Sequence, residues 1–132
     1  MRSARQPLDR HDGLIWVPVL LEGENGLRWA AEFVLDTGTS NTVLSVQLAE
    51  FLGLSESKRL GRAIFDTPDG PVEGYTVRIP GVSFLGREVR DCLVGCKMFY
   101  SRLDVQGILG VDFFEETDLL LSFRRSSLHL AW

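Results

Sequence analysis

The chain has 132 residues, enough for one hydrophobic core and too few for two. An apolar content of 45% argues against disorder, and 18 acidic against 14 basic residues leave a net charge of -4, which argues against a nucleic-acid partner because no basic surface is available to displace counterions from phosphates. No polybasic run suits a membrane surface, and no apolar run approaches the roughly 20 residues that span a bilayer.

Residues 1–12 are polar and charged and lack the apolar stretch of a signal peptide, so they are read as a polar N-terminal segment before one domain over 13–132, with the cytoplasm as the expected compartment. The domain reads as mostly β. Residues 14–21 form a β-rich apolar run, and 22–26 carry the glycines and Asn of a hairpin turn. The chain returns as a second strand over 27–35, with Trp29, Ala31 and Phe33 expected on one face and Arg28 and Glu32 on the other. A polar loop follows, Asp36-Thr37-Gly38-Thr39-Ser40, and then a short β-branched piece over 42–45. The one clear helix is expected over 46–54, with Ser45 as N-cap, Val46, Leu48, Ala49 and Leu52 at helical spacing, and Gly53 ending it.

Strands are expected at 60–65 and 72–79 around the turn Asp66-Thr67-Pro68-Asp69-Gly70, where Pro presets φ and Gly accepts a positive φ. A further hairpin joins 82–85 to 89–94 about Gly86, and a polar interruption covers 100–104. An apolar run over 105–109 ends at Gly110, a helical turn is expected over 112–116, and a hairpin of 119–123 with 128–132 closes the chain. The two cysteines, Cys92 and Cys96, would lie roughly 13 Å apart on one strand, too far for a disulfide. With His11 and His129 as the only histidines, no zinc-type ligand cluster is present in the sequence, and both thiols are read as reduced.

The sharpest chemical feature is the carboxylate at the end of an apolar strand. A buried carboxylate needs donors, and here the local amides and hydroxyls can supply them. Gly38 lets the backbone approach the carboxyl group, Thr37 can brace the loop through its hydroxyl, Thr39 can donate to a carboxylate oxygen, and Ser40 adds another donor. The plain alternative is a polar turn with an Asx-type hydrogen bond.

Two stretches carry a resemblance. Phe33-Val34-Leu35-Asp36-Thr37-Gly38-Thr39-Ser40 resembles the active-site loop of pepsin-like and retroviral-type aspartic proteases, and Ile108-Leu109-Gly110 followed by Val111-Asp112-Phe113-Phe114 resembles their second signature, two apolar residues and a glycine opening a short helix. Residues 64–77 lie where the family carries its flap hairpin, and the order of elements is similar over 16–132. The size resembles the single-domain retropepsin-like branch, bacterial members included. The resemblance implies an all-β fold, a closed or partly closed barrel of the acid-protease type with one or two short helices. It also implies an aspartic endopeptidase without metal or other cofactor, acting on polypeptide. Asp36 would be the catalytic residue, with Thr67, Pro68, Asp69 and Gly70 in a substrate-covering flap and Ile108, Leu109 and Gly110 supporting the loop.

One Asp-Thr-Gly occurs in the chain, whereas the chemistry needs two carboxyls that share a proton, so a homodimer is expected to supply the second. The other reading is a dimerisation or peptide-binding module with little or no catalysis. Retroviral members usually carry Ala where this chain has Thr39; a hydroxyl donated to ionised Asp36 favours that form and predicts a more acidic working range. Among the remaining residues, Tyr75 is read as sheet packing, Trp16 and Trp29 as core or dimer residues, and Trp132 as either core or an interface residue at the chain end. Asp112 is read as a cap of the following turn, Glu115-Glu116 and Arg124-Arg125 as solvated charges, and Asp69 and Asp104 as loop residues.

Overall fold

In the computed structural model, which describes residues 1–99 and 103–132, β-branched and aromatic residues at period two become strands wherever a partner is within reach. β1 (Ser3–Pro7) and β2 (Asp9–His11) precede the hairpin of β3 (Leu14–Glu22) and β4 (Arg28–Leu35), which turns through a short 3-10 segment at Glu24–Gly26. β5 (Val43–Ser45) runs directly into α1 (Val46–Phe51). Two long hairpins follow: β6 (Gly61–Thr67) with β7 (Gly70–Phe84), and β7 with β8 (Arg87–Lys97). β9 (Gly107–Leu109), a 3-10 turn at Val111–Phe114, β10 (Asp118–Ser122) and β11 (Ser127–Ala131) complete the described elements.

The larger sheet has the order β2-β3-β4-β9-β5-β8-β7-β6, and a further pairing of β3 with β7 (Leu20 opposite Ser83, Leu21 opposite Val82) closes it on itself. The fold is therefore all-β and partly closed, as the resemblance implies. β1, β11 and β10 form a second, three-stranded sheet. The core lies inside the ring, where Val17, Val19, Leu21, Phe33, Leu44, Ile79, Phe84 and Leu109 are almost completely buried together. No helix among the described residues is long and apolar enough to cross a membrane.

Several boundaries differ from the sequence expectations. α1 stops at Phe51, three residues early, because Gly53 takes φ +81° and Leu54 donates back to the Ala49 carbonyl at 2.7 Å. Ser45 does cap its start, accepting from the Leu48 amide at 3.1 Å. The separate strands expected at 72–79 and 82–85 are one, β7. Its ladder with β8 omits only the pair opposite Pro80, which has no N–H to give. The residues read as a polar lead-in contribute β1, paired with β11, and β2, paired with β3, with Leu8 buried between them. Backbone pairing does not depend on apolar side chains, so this part left no hydrophobic pattern. Of the polar interruption at 100–104, residues 100–102 lie outside the described residues.

The aromatic residues sort by face. Phe33 and Ala31 are buried, but Trp29 is 45% exposed, edge-on to Phe51 at 5.1 Å. Trp16 is buried and stacks on His11. Trp132 is partly buried against the chain's own core, and its backbone exchanges two hydrogen bonds with Arg2. Tyr75 is buried, with its hydroxyl 3.4 Å from the Leu54 carbonyl, and burial raises its pKa.

Candidate active site

The Asp36 loop is held by the way strands cross. β4 runs parallel to β9 (Val34 opposite Ile108, Leu35 opposite Leu109), and β5 lies on the other side of β9, antiparallel to it. The chain must therefore leave β4, pass over the end of β9 and re-enter the sheet beyond it. Residues 36–42 are that passage. At its start the Asp36 amide donates to the Leu109 carbonyl at 3.1 Å, and in its middle Val111 donates to Thr39 at 2.9 Å. A Cβ at Gly110 would come within 2.8 Å of the Thr39 oxygen and the Asn41 carbonyl carbon, so this close passage needs glycine for space.

Within the loop, each carboxylate oxygen of half-buried Asp36 has one local donor. Gly38 N–H reaches Oδ1 at 2.9 Å, and the Thr39 hydroxyl reaches Oδ2 at 2.8 Å. A carboxylate oxygen offers about two lone-pair directions, which leaves acceptor capacity on both. Gly38 has a negative or extended φ; a Cβ there would stand 3.2 Å from Oδ1, so close approach, not a left-handed conformation, is what glycine provides. The Gly38 bond is also the Asx-type bond of a polar turn. Two sequence expectations fail locally. Thr37 is exposed and its hydroxyl bonds to none of the described residues, and Ser40 accepts from Asn41 at 3.4 Å without reaching Asp36. Both residues are exposed, while Gly38 and Thr39 supply the donors to the carboxylate.

The bracing comes from Asp112, whose function the sequence did not reveal. Its carboxylate takes the Thr42 amide at 3.0 and 2.9 Å, the Thr42 hydroxyl at 2.8 Å and the Phe113 amide at 2.9 Å. Thr42 in turn accepts from the Gly110 amide through its hydroxyl at 3.2 Å and from Gly95 through its carbonyl at 3.0 Å. Asp112 is thus a cross-link over 70 residues of sequence, and the N-cap position of the 3-10 turn belongs to Gly110.

Asp36, Gly38, Thr39, Ser40, Asn41 and Ile108 line one side of a cleft of about 570 Å³, and β6 from Ala63 into Thr67-Pro68 lines another. Of the four residues expected in a flap, Thr67 and Pro68 reach this cleft, whereas Asp69 and Gly70 form the far side of the β6–β7 turn. The turn is fixed by the Thr67 hydroxyl donating to Gly70 at 2.6 Å and by the positive φ of Gly70, +110°. Ile64 and Leu93 line the cleft while 66% and 52% exposed. Phe65 lies over Gly95 and Gly74, where a Cβ would meet its ring at 2.6 and 2.8 Å respectively. Lys97 closes the end of the cleft at β8. Period-two alternation in 61–67 could have singled out these β6 residues; nothing in the sequence marks Lys97.

Cys92 and Cys96 lie on one strand as free thiols, and burial raises both, Cys96 to about 12.

The model of one family, described as gag-polyprotein aspartyl protease, matches residues 25–116. Among solved structures, the crystal structure of a retropepsin-like aspartic protease from Rickettsia conorii is similar, with a TM-score of 0.72 and 19% identity over 98% of this chain and 91% of that one. At that identity the likeness is one of fold. No curated protein matches the sequence.

Proposed function

Since the chain belongs to the gag-polyprotein aspartyl protease family, we propose that it is an endopeptidase working as a homodimer, in which Asp36 of one protomer faces Asp36 of the other. The observation that carries this is the position of Asp36: a half-buried carboxylate, partly satisfied, at the wall of a cleft bounded by a β-hairpin. The chain has a single Asp-Thr-Gly, so a two-fold axis is the simplest source of a second carboxyl at that point.

Two carboxyls in contact cannot both ionise, so the pair holds one proton between them. The ionised member takes a proton from water as the water oxygen bonds to the scissile carbonyl carbon. The protonated member gives its proton to the carbonyl oxygen. Collapse of the tetrahedral species breaks the C–N bond, with a proton passing to the leaving nitrogen. Neither a metal nor a covalent intermediate is required. Thr39 and Gly38 keep the carboxylate oriented, and an extended peptide would lie between the loop and β6 as an added strand, with Ile64 and Leu93 offering apolar side-chain contacts.

The test is cleavage of a mixed peptide library between about pH 4 and pH 7, with Asp36→Asn as control. Cleavage by the native protein, none by the folded variant, and a dimer in sedimentation are the expected results. A native protein that stays monomeric at micromolar concentration, or an Asp36→Asn variant that still cuts, overturns the proposal.

A further inference from the structure

Among the described residues, the cleft beside Asp36 is lined by one cation whose place the peptidase reading does not explain. Lys97, the last residue of β8, is half-buried, and its ammonium lies 5.7 Å from the centre of the Phe65 ring and 4.9 Å from that of Phe99. Aromatic faces hold an ammonium in place but do not neutralise it. Among the described residues Lys97 has no ion-pair partner, unlike Lys58, Arg59, Arg62 and Arg90, each of which lies within 4.0 Å of a carboxylate. The other charged residues lining the cleft among the described residues are Asp36, whose carboxylate accepts one hydrogen bond on each oxygen from its own loop, and Asp66, exposed on β6 and not paired with Lys97. Burial lowers the Lys97 pKa, which is the mark of an ammonium that has lost water without gaining a counter-charge.

Resting on the peptidase proposal, we infer that Lys97 gives the cleft a preference for an acidic side chain, so that favoured peptides place Asp or Glu against it. A fixed, partly dehydrated ammonium discriminates between a carboxylate and its uncharged isostere, because both accept its hydrogen bond but only the carboxylate adds the attraction of opposite charges. In a two-fold dimer each protomer contributes its own Lys97, and a bound peptide meets the pair on opposite sides of the scissile bond. The preference therefore appears twice, on the N-terminal and the C-terminal side of the cut.

The experiment compares peptide pairs that differ only in Glu against Gln at each position of a cleaved sequence. At the two positions facing Lys97 the native protein should show kcat/KM about ten-fold higher for Glu, falling as salt is raised. Lys97→Met should bring that ratio close to one, Lys97→Arg should retain a preference, and Lys97→Glu should turn it toward Lys-containing peptides. The same pairs are titrated by fluorescence anisotropy onto Asp36→Asn, with and without Lys97→Met. This binding measurement separates the two proposals. Glu-selective binding that Lys97→Met abolishes, without cleavage by the native protein, retains the role of Lys97 and overturns the peptidase. Cleavage with equal rates for Glu and Gln, or a Glu preference unchanged in folded Lys97→Met, overturns the role of Lys97 alone.

Discussion

Replacing Asp112 by alanine tests how the Asp36 loop is held. The carboxylate receives the Thr42 amide, the Thr42 hydroxyl and the Phe113 amide at 2.8–3.0 Å, and Thr42 is only 4% exposed. A hydrogen bond to a charged group contributes about 1.5–3 kcal/mol, and a buried N–H left without an acceptor costs about 1–3 kcal/mol. The Phe113 amide also donates to the Gly110 carbonyl at 3.2 Å, so it keeps an acceptor when the carboxylate is gone. The sum for Asp112→Ala is about 4 kcal/mol, a large share of the roughly 5–15 kcal/mol that stabilises a domain. At about 3–4 °C per kcal/mol for a chain of this length, the melting temperature falls by about 14 °C. Asp112→Asn keeps one acceptor oxygen and lacks the charge, so it should lose about 1–2 kcal/mol. Circular dichroism melts and urea titrations read both. Because Thr42 is also bonded to Gly110 and Gly95, the loop carrying Asp36 should loosen first, and peptide cleavage should fall well below the melting temperature. An alanine variant within about 1 kcal/mol of the native protein would refute the reasoning, since it would mean that Thr42 finds other acceptors without cost.

Two further outcomes are expected. Thr39→Ala removes the hydroxyl at 2.8 Å from Asp36 Oδ2, one of the two local donors that orient the carboxylate, so peptide cleavage should fall by about ten-fold in a folded variant; an unchanged rate would show that the hydroxyl plays no part in orienting Asp36. Burial raises the Cys96 thiol from 9.0 to about 12, so the folded protein keeps a proton that the unfolded chain gives up first. This contribution to stability is complete below about pH 9 and disappears as pH rises toward 12; thiol reagents at pH 8 should label Cys96 only on unfolding, and rapid labelling of the native protein would contradict its burial.

The hairpins were legible in the sequence because their signals are local. Alternation in 27–35, Pro68-Asp69-Gly70 and Gly86 specify strands and turns through φ preferences and period two, whatever the rest of the chain does. Ser45 as N-cap is of the same kind. The Asp-Thr-Gly loop and the Ile108-Leu109-Gly110 run could also be found, since each is contiguous and resembles a known pair of signatures. What lay beyond the sequence is whatever depends on partners far along the chain. β1 is a strand only because β11 is available to pair with it, and its own side chains carry no apolar pattern. Trp29 has the same alternation as Phe33, yet it is exposed and meets Phe51 beyond the end of α1's buried face, while Phe33 lies in the core. Asp112 looks like a local cap until β9 threads between β4 and β5 and brings it to Thr42, and Lys97 is an ordinary charge until the β6 hairpin folds Phe65 against it. Sequence thus determined the elements and the Asp-Thr-Gly loop, where free energy is set within a few residues. Tertiary structure decided the brace, the cleft wall and the charge beside it, because these arise only when closing the sheet brings together residues tens of positions apart.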